Sequence, residues 1–295
     1  MKNDNNIKSV SYLVPAYNHE NYIENALNSI FEDSKMLDCE RNIIIINDGS
    51  TDNSHFIIQD WINNNGDLIK VKYINRENKG LTITLNELVS NTNSKYIRFC
   101  SSDDMLVRGS TAILLNIIDE NKRLLAVCGD GIVIDQNNNT INDSTILYHG
   151  GDIHKLINDE SCYKSLIRKW CMAGPCILID REFYKDVKYL ENESIDDFYL
   201  YLSLIKKNAL KIVIDKSCYY RIHDTNTSKT LDKEKRIRNL KSFLKIITKF
   251  KELEVKYISL SALRNLTEAK IAYLEKNFLK CFFKLTNYFY FRIKD

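Results

Sequence analysis

Residues 42–46 read Asn-Ile-Ile-Ile-Ile, and the run stops at once in Asn47-Asp48-Gly49-Ser50. A strand apolar on both faces must be covered on both faces, as happens in a parallel sheet sandwiched between helices. The flanking pattern supplies such helices. Residues 9–15 (SVSYLVP) are β-branched and apolar and stop at Pro15, and residues 19–31 place Tyr22, Ile23, Ala26, Leu27, Ile30 and Phe31 at helical spacing. Thr51 or Asp52 is placed to cap a helix beginning near Asn53. Residues 71–74, 95–100 and 125–128 predict further strands, and 81–89 and 110–120 further helices. This alternation predicts an α/β fold with a doubly wound, mainly parallel sheet and right-handed crossovers. Ligands of such sheets bind beyond the carboxyl ends of the strands. Those ends carry Tyr17-Asn18, Asp48, Asn75 to Lys79, and Asp103-Asp104.

The second half is less regular. Residues 163–170 and 197–206 predict helices, and 176–179, 211–214 and 217–221 predict strands. From residue 231 the pattern is helical throughout, over 233–253, 258–276 and 278–292, without proline or glycine. A boundary near 228–232 is therefore expected, dividing a domain of residues 1–230 from a helical C-terminal extension of residues 231–295. The whole chain has 9 Gly and 2 Pro in 295 residues, too few turn formers for a sandwich or barrel. Its net charge of +3 is too balanced for a dedicated nucleic-acid binder. Residues 232–295, however, hold 16 Lys and Arg against 7 Asp and Glu, a net of +9, so the preceding part carries −6. The eight cysteines form no CxxC pair, which argues against a zinc site. No run approaches the roughly 18 apolar residues of a membrane span, and MKNDNNIKSV lacks a signal-peptide core. A cytoplasmic chain with reduced thiols is expected.

Four polar clusters sit where the topology expects a site. Asp103-Asp104 closes a strand, and adjacent carboxylates repel unless a cation such as Mg²⁺ or Mn²⁺ sits beside them. The same pair also serves as a turn and helix cap in many chains. Asp48 is placed to accept hydrogen bonds from a base or ribose, or to close an Asx turn. Asn78-Lys79-Gly80 offers a loop with a cation. Asp196-Asp197 opens a helix, where negative charge is favourable in any case. His19, His55, His149 and His154 lack companions at ligand spacing and read as surface or helix-face residues.

Taken together, Val14-Pro15-Ala16-Tyr17-Asn18, Asn47-Asp48-Gly49-Ser50-Thr51-Asp52, Asn78-Lys79-Gly80, Ser102-Asp103-Asp104 and Ser194-Ile195-Asp196-Asp197 follow an order that resembles the family 2 glycosyltransferases. These are inverting sugar transferases of the GT-A fold, and the resemblance runs over residues 9–228. It implies a nucleotide pocket of Pro15, Tyr17, Asn18, Asp48, Lys79, Gly80 and Asp103, with Asp48 reading the uracil edge. It implies a divalent metal, Mn²⁺ or Mg²⁺, on Asp103, Asp104 and His223, and contacts to the diphosphate from Arg221 and His223. It makes Asp197 the catalytic base and Asp196 its support. Ser101 stands where many members have aspartate, and Asp196 where glutamate is usual.

The reaction so implied moves a sugar from a UDP-sugar to a hydroxyl of a glycan or lipid-linked glycan, for capsule, lipopolysaccharide or a related surface polymer. A nucleotidyltransferase would need a Gly-rich phosphate loop after the first strand, and Pro15-Ala16-Tyr17-Asn18 is not one. A non-catalytic nucleotide-sugar binding module has Ser101 as its support. In the tail, Lys276, Lys280 and Lys284 recur at four-residue spacing beside Phe278, Leu279, Phe282 and Phe283. Such a helix either lies on an anionic membrane surface as a peripheral anchor or packs on its helical neighbour.

Overall fold

The computed structural model describes residues 8–193, 196–223 and 232–295. Its first half is a run of strand–helix units: β1 (Ser9–Ala16), α1 (Ile23–Ser34), β2 (Glu40–Asp48), α2 (Ser54–Asn65), β3 (Lys70–Arg76), α3 (Leu81–Ser90) and β4 (Tyr96–Phe99). These four strands pair in parallel in the order β3-β2-β1-β4. The isoleucine run lies in register beside β1, with Tyr12 opposite Ile43 and Leu13 opposite Ile44. Ile43, Ile44, Ile45 and Ile46 are all buried, so both faces of the strand are covered. Each such side chain contributes about 1.5–3 kcal/mol by leaving water. One buried polar link crosses this core: the Tyr12 hydroxyl donates to Asp33 Oδ2 at 2.8 Å, and Asp33 Oδ1 accepts the Thr111 N–H at 3.2 Å.

Beyond β4 the chain forms β5 (Met105–Leu106), α4 (Ser110–Glu120), β6 (Ala126–Ile134), β7 (Thr140–Asn142), α5 (Thr145–Tyr148), α6 (Ile153–Leu156) and α7 (Cys162–Arg168). A 3₁₀ turn, Gly174–Cys176, leads into β8 (Ile177–Asp180), and α8 (Asp197–Lys207) precedes β9 (Leu210–Arg221). Here the sheet changes character. β8 runs antiparallel to both β4 and β6, β9 is parallel to β6, and β5 is antiparallel to β9. The α/β architecture is as expected, but the sheet is mixed: β3-β2-β1-β4 is parallel throughout, and beyond it antiparallel pairs stand beside the one parallel pair β6–β9. The two strands expected over 211–221 are one strand. The polar pair Asp215-Lys216, which reads as a break, sits where the pairing slips register between Cys128 and Asp130. Lys216 Nζ reaches buried Asp130 Oδ2 at 2.6 Å there.

The C-terminal part is helical: α9 (Lys233–Lys249), α10 (Lys251–Lys256), α11 (Ile258–Leu274) and α12 (Phe278–Lys294). Buried Phe250, with φ −111° and ψ 45°, breaks the first expected helix in two. Phe243 of α9 stacks on Phe198 of α8 with centroids 4.3 Å apart, which docks the helices on the sheet domain. The boundary expected near 228–232 falls largely outside the described residues. No helix among the described residues is long and apolar enough to cross a membrane. The eight cysteines are free thiols.

Candidate active site

The carboxyl ends of β1 and β2 and the turn after β4 meet over one opening. β1 ends at Ala16, and Asn18 turns the chain in a left-handed conformation (φ 52°), its side-chain oxygen accepting the Thr51 N–H at 2.7 Å. Asp48, at the end of β2, is buried and holds the 76–80 loop: it accepts the Lys79 and Gly80 N–H groups at 2.8 and 2.9 Å and pairs with Arg76. Gly49 makes this packing feasible. Its φ is +73°, and a Cβ there would lie 2.5 Å from the Asn78 nitrogen.

The resulting cleft of about 640 Å³ is lined by Pro15, Ala16, Tyr17, Asn18, His19, Asp48, Asn78, Gly80, Ser101, Ser102, Asp103 and Lys235, among others. Tyr17 is 47% exposed within it. A second cleft of about 220 Å³ shares Pro15, Leu81, Ser101 and Asp103 with the first. Its far wall is Gly174, Pro175, Tyr189, Asp196, Asp197 and Tyr220. Asp103 therefore faces both compartments.

Around Asp103 the structure gathers two imidazoles. His223 Nε2 lies 3.1 Å from Asp103 Oδ2, and His19 Nε2 lies 3.9 Å from the same oxygen. The ligand atoms of the three residues all fall within 4.8 Å of one another. The other ring nitrogen of His19 is held by Ser102 Oγ at 2.7 Å, which orients the ring as outer-shell partners of metal-binding histidines do. Burial pushes the Asp103 carboxyl up, but the His223 hydrogen bond and the two imidazoles outweigh it and hold it below the usual range. Burial lowers the His19 pKa, favouring the neutral ring that can donate a lone pair. Two imidazoles and a carboxylate fit a divalent transition ion.

The sequence reads His19 as a surface or helix-face residue without ligand companions, and the structure corrects this by placing it beside Asp103 and His223; nothing in the spacing from residue 19 to 103 or 223 marks it. Only its place in the β1 end loop, beside Tyr17-Asn18, is a signal. Lys235, at the start of α9, was likewise unseen. Asp104, expected as a metal ligand, stands apart from the group. It is buried, accepts the Arg221 N–H at 2.8 Å, and is pushed well above the usual carboxylate range by burial and by Asp103. Arg221 is also buried and lines neither cleft. Its guanidinium donates to the Asp103 and Asp135 carbonyls at 2.7 and 3.0 Å and lies over the Tyr22 ring. It braces the 103–104 turn from behind. The Lys79 side chain is exposed and does not line the cleft, so its backbone N–H on Asp48 is what it contributes there.

Asp196 and Asp197 open α8. Burial raises both carboxyls, and the charge of Asp196 adds to it at Asp197, which is pushed up to about 7. The Phe198 N–H, donating to Asp197 Oδ1 at 2.7 Å, opposes the rise. A carboxylate so poised exchanges a proton near neutrality.

Residues 11–188 match the family model described as glycosyl transferase family 2. An uncharacterized glycosyltransferase of Rickettsia bellii is 26% identical over 231 residues, covering 75% of this chain and 31% of its own length. A chondroitin synthase of Escherichia coli is 29% identical over 277 residues, 88% of this chain and 35% of that one. The chain thus spans about a third of each of these curated relatives. Among solved structures, residues 1–349 of Staphylococcus aureus TarS in complex with UDP-GlcNAc superpose with a TM-score of 0.60 at 17% identity, covering 90% of this chain and 71% of that one. A mannosyltransferase from Pyrobaculum calidifontis, in complex with GDP-Man and Mn²⁺, gives 0.57 at 16% identity, covering 81% and 63%. At these identities the structures establish the GT-A fold.

Proposed function

The chain belongs to glycosyl transferase family 2, and on that premise we propose that it moves a sugar, with inversion, from a UDP-sugar to a hydroxyl of a glycan or lipid-linked saccharide in surface-polymer synthesis. The observation that carries this reading is the position of Asp103, shared by the larger cleft and by the smaller one that holds Asp197. The larger cleft takes the nucleoside diphosphate, with Pro15, Tyr17, Asn18 and the Asp48-held loop around the nucleoside. Lys235 adds a cation to its wall. The smaller cleft takes the acceptor.

The acceptor hydroxyl gives its proton to Asp197 as its oxygen bonds the anomeric carbon. The carbon–oxygen bond to the diphosphate breaks, and the electron pair leaves with the nucleotide. Attack from the face opposite the leaving group inverts the centre. Asp196 keeps the Asp197 proton affinity high enough for this. His19, Asp103 and His223 would hold a divalent cation, with Mn²⁺ favoured over Mg²⁺ by the two imidazoles. Such an ion supplies charge neutralisation for the leaving diphosphate.

Support for a uridine donor comes from the UDP-GlcNAc bound by TarS, and support for a glycan product from the chondroitin synthase relative. We also read residues 1–230 as the catalytic unit and 231–295 as its helical extension. The aromatic face of α12 would rest on an anionic membrane near a lipid-linked acceptor.

A thermal-shift panel of UDP- and GDP-sugars, with Mn²⁺, Mg²⁺ or EDTA, tests the reading. A UDP-sugar near 100 times its Kd stabilises by about 2.7 kcal/mol, or about 5 °C, in Mn²⁺. EDTA abolishes the shift. A panel in which GDP-sugars alone stabilise, or in which EDTA changes nothing, contradicts it.

A further inference from the structure

A cavity of about 570 Å³ opens between α9, α11 and α12 and shares no lining residue with either cleft of the candidate active site. Its walls are apolar, formed by Leu240, Leu266, Leu274 and Leu285, and its rim carries Arg236 and Lys270. The charges acting on Lys270 are Lys169 and Arg236, both of its own sign. Burial comes first in lowering the Lys270 pKa, and these two cations lower it further. Among the described residues no carboxylate pairs with any of the three.

Several other cations of the same helices do meet carboxylates. Lys284 pairs with Glu268, Arg264 Nη1 meets Glu254 at 2.9 Å, and Lys241 meets Glu275 at 3.1 Å. Like charges gathered at the mouth of an apolar cavity repel one another until an anion joins them. A bare inorganic anion would satisfy the rim and leave the leucine-lined interior in contact with water. A molecule with an anionic head and an aliphatic chain satisfies both.

We propose that this cavity binds a single long-chain phosphate monoester, its phosphate on Arg236 and Lys270 and its chain among the leucines. Charge-assisted contacts from guanidinium and ammonium groups hold the head. The site is separate from sugar transfer, and the proposal stands whether or not the chain is a transferase. Arg236 does follow Lys235, which lines the nucleotide cleft, so the start of α9 borders both sites.

The test uses the full chain and monomeric dodecyl phosphate, with inorganic phosphate and dodecyl maltoside as single-feature controls. Calorimetry should give one site for dodecyl phosphate, with both controls at least tenfold weaker. The double substitution Arg236→Gln/Lys270→Gln, at two rim positions, should weaken dodecyl phosphate at least tenfold while the melting profile is kept. Cys281 lines the cavity and provides an independent readout. Saturating dodecyl phosphate should slow its alkylation at least fivefold and leave that of Cys39, the other partly exposed cysteine, unchanged. Inorganic phosphate binding as tightly as the ester overturns the amphiphile. Maltoside binding as tightly overturns the anionic head. Undiminished binding by the double variant, or unprotected Cys281, overturns the site.

Discussion

Asp197 is the residue whose chemistry is most exposed to measurement. Its folded pKa of about 7 lies far above the ordinary aspartate value of 3.8. Two consequences follow, with opposite signs. As a base it must be ionised, so the transfer rate should rise with pH through about 7 and then level. As a buried carboxyl it prefers to be protonated, so its contribution to stability is fully present below pH 3.8 and is lost as pH rises through about 7. Asp197→Asn should therefore melt a few degrees higher than the parent at pH 8, with the difference shrinking toward pH 5. Melting curves at the two pH values check this. His19→Ala, by contrast, should weaken Mn²⁺ binding about tenfold or more with little change in fold, read by metal titration. His19 also marks where residue-level reading of the sequence runs out. Asp103 and His223 were visible as motif residues, but a second imidazole 84 positions before Asp103 has no local signature, and only the folding of the β1 end loop brings it in.

At the scale of elements, the strand nucleus was legible because its signals are one-dimensional. The isoleucine run, Pro15, and the turn residues after each strand mark β1 to β4 within a residue or two. The antiparallel half was harder to read. β5 has two residues and β7 three, too short for a periodic pattern, and the bulged β9 reads as two strands. Asp104 illustrates the same limit: whether one of two adjacent carboxylates faces a ligand or a backbone N–H depends on β9, which is 106 to 117 residues away in sequence. Gly49 brings its backbone against that of Asn78. Alanine there would keep a positive φ and drive a Cβ into the 78 backbone. Gly49→Ala should cost about 1–3 kcal/mol and weaken nucleotide binding as well, measured by denaturant titration and donor affinity.

On the scale of the whole molecule, α12 is the unresolved face of the sequence reading. It packs along α11, yet none of its residues is buried. Leu279 is 88% exposed, Phe282 70% and Phe283 60%. The lysines do not form the single stripe expected: Lys276 precedes the helix with φ 60°, and Lys284 turns to Glu268 on α11. What remains outward is chiefly apolar, which fits an interfacial helix whose hold comes from rings more than from lysines. Binding to anionic vesicles should accordingly fall only a few-fold as salt rises, and be lost in Leu279→Ser/Phe282→Ser/Phe283→Ser, as sedimentation would show.

The central claim is that one carboxylate, Asp103, joins a donor compartment to an acceptor compartment governed by Asp197. Measuring donor affinity and transfer rate separately, in Mn²⁺, for Asp103→Ala and Asp197→Asn tests it most directly. Asp103→Ala should lose both. Asp197→Asn should keep the donor affinity within about twofold and lose about 10²–10⁴ in transfer rate. Equal loss of donor binding in both variants, or transfer at the parent rate in either, would contradict the account.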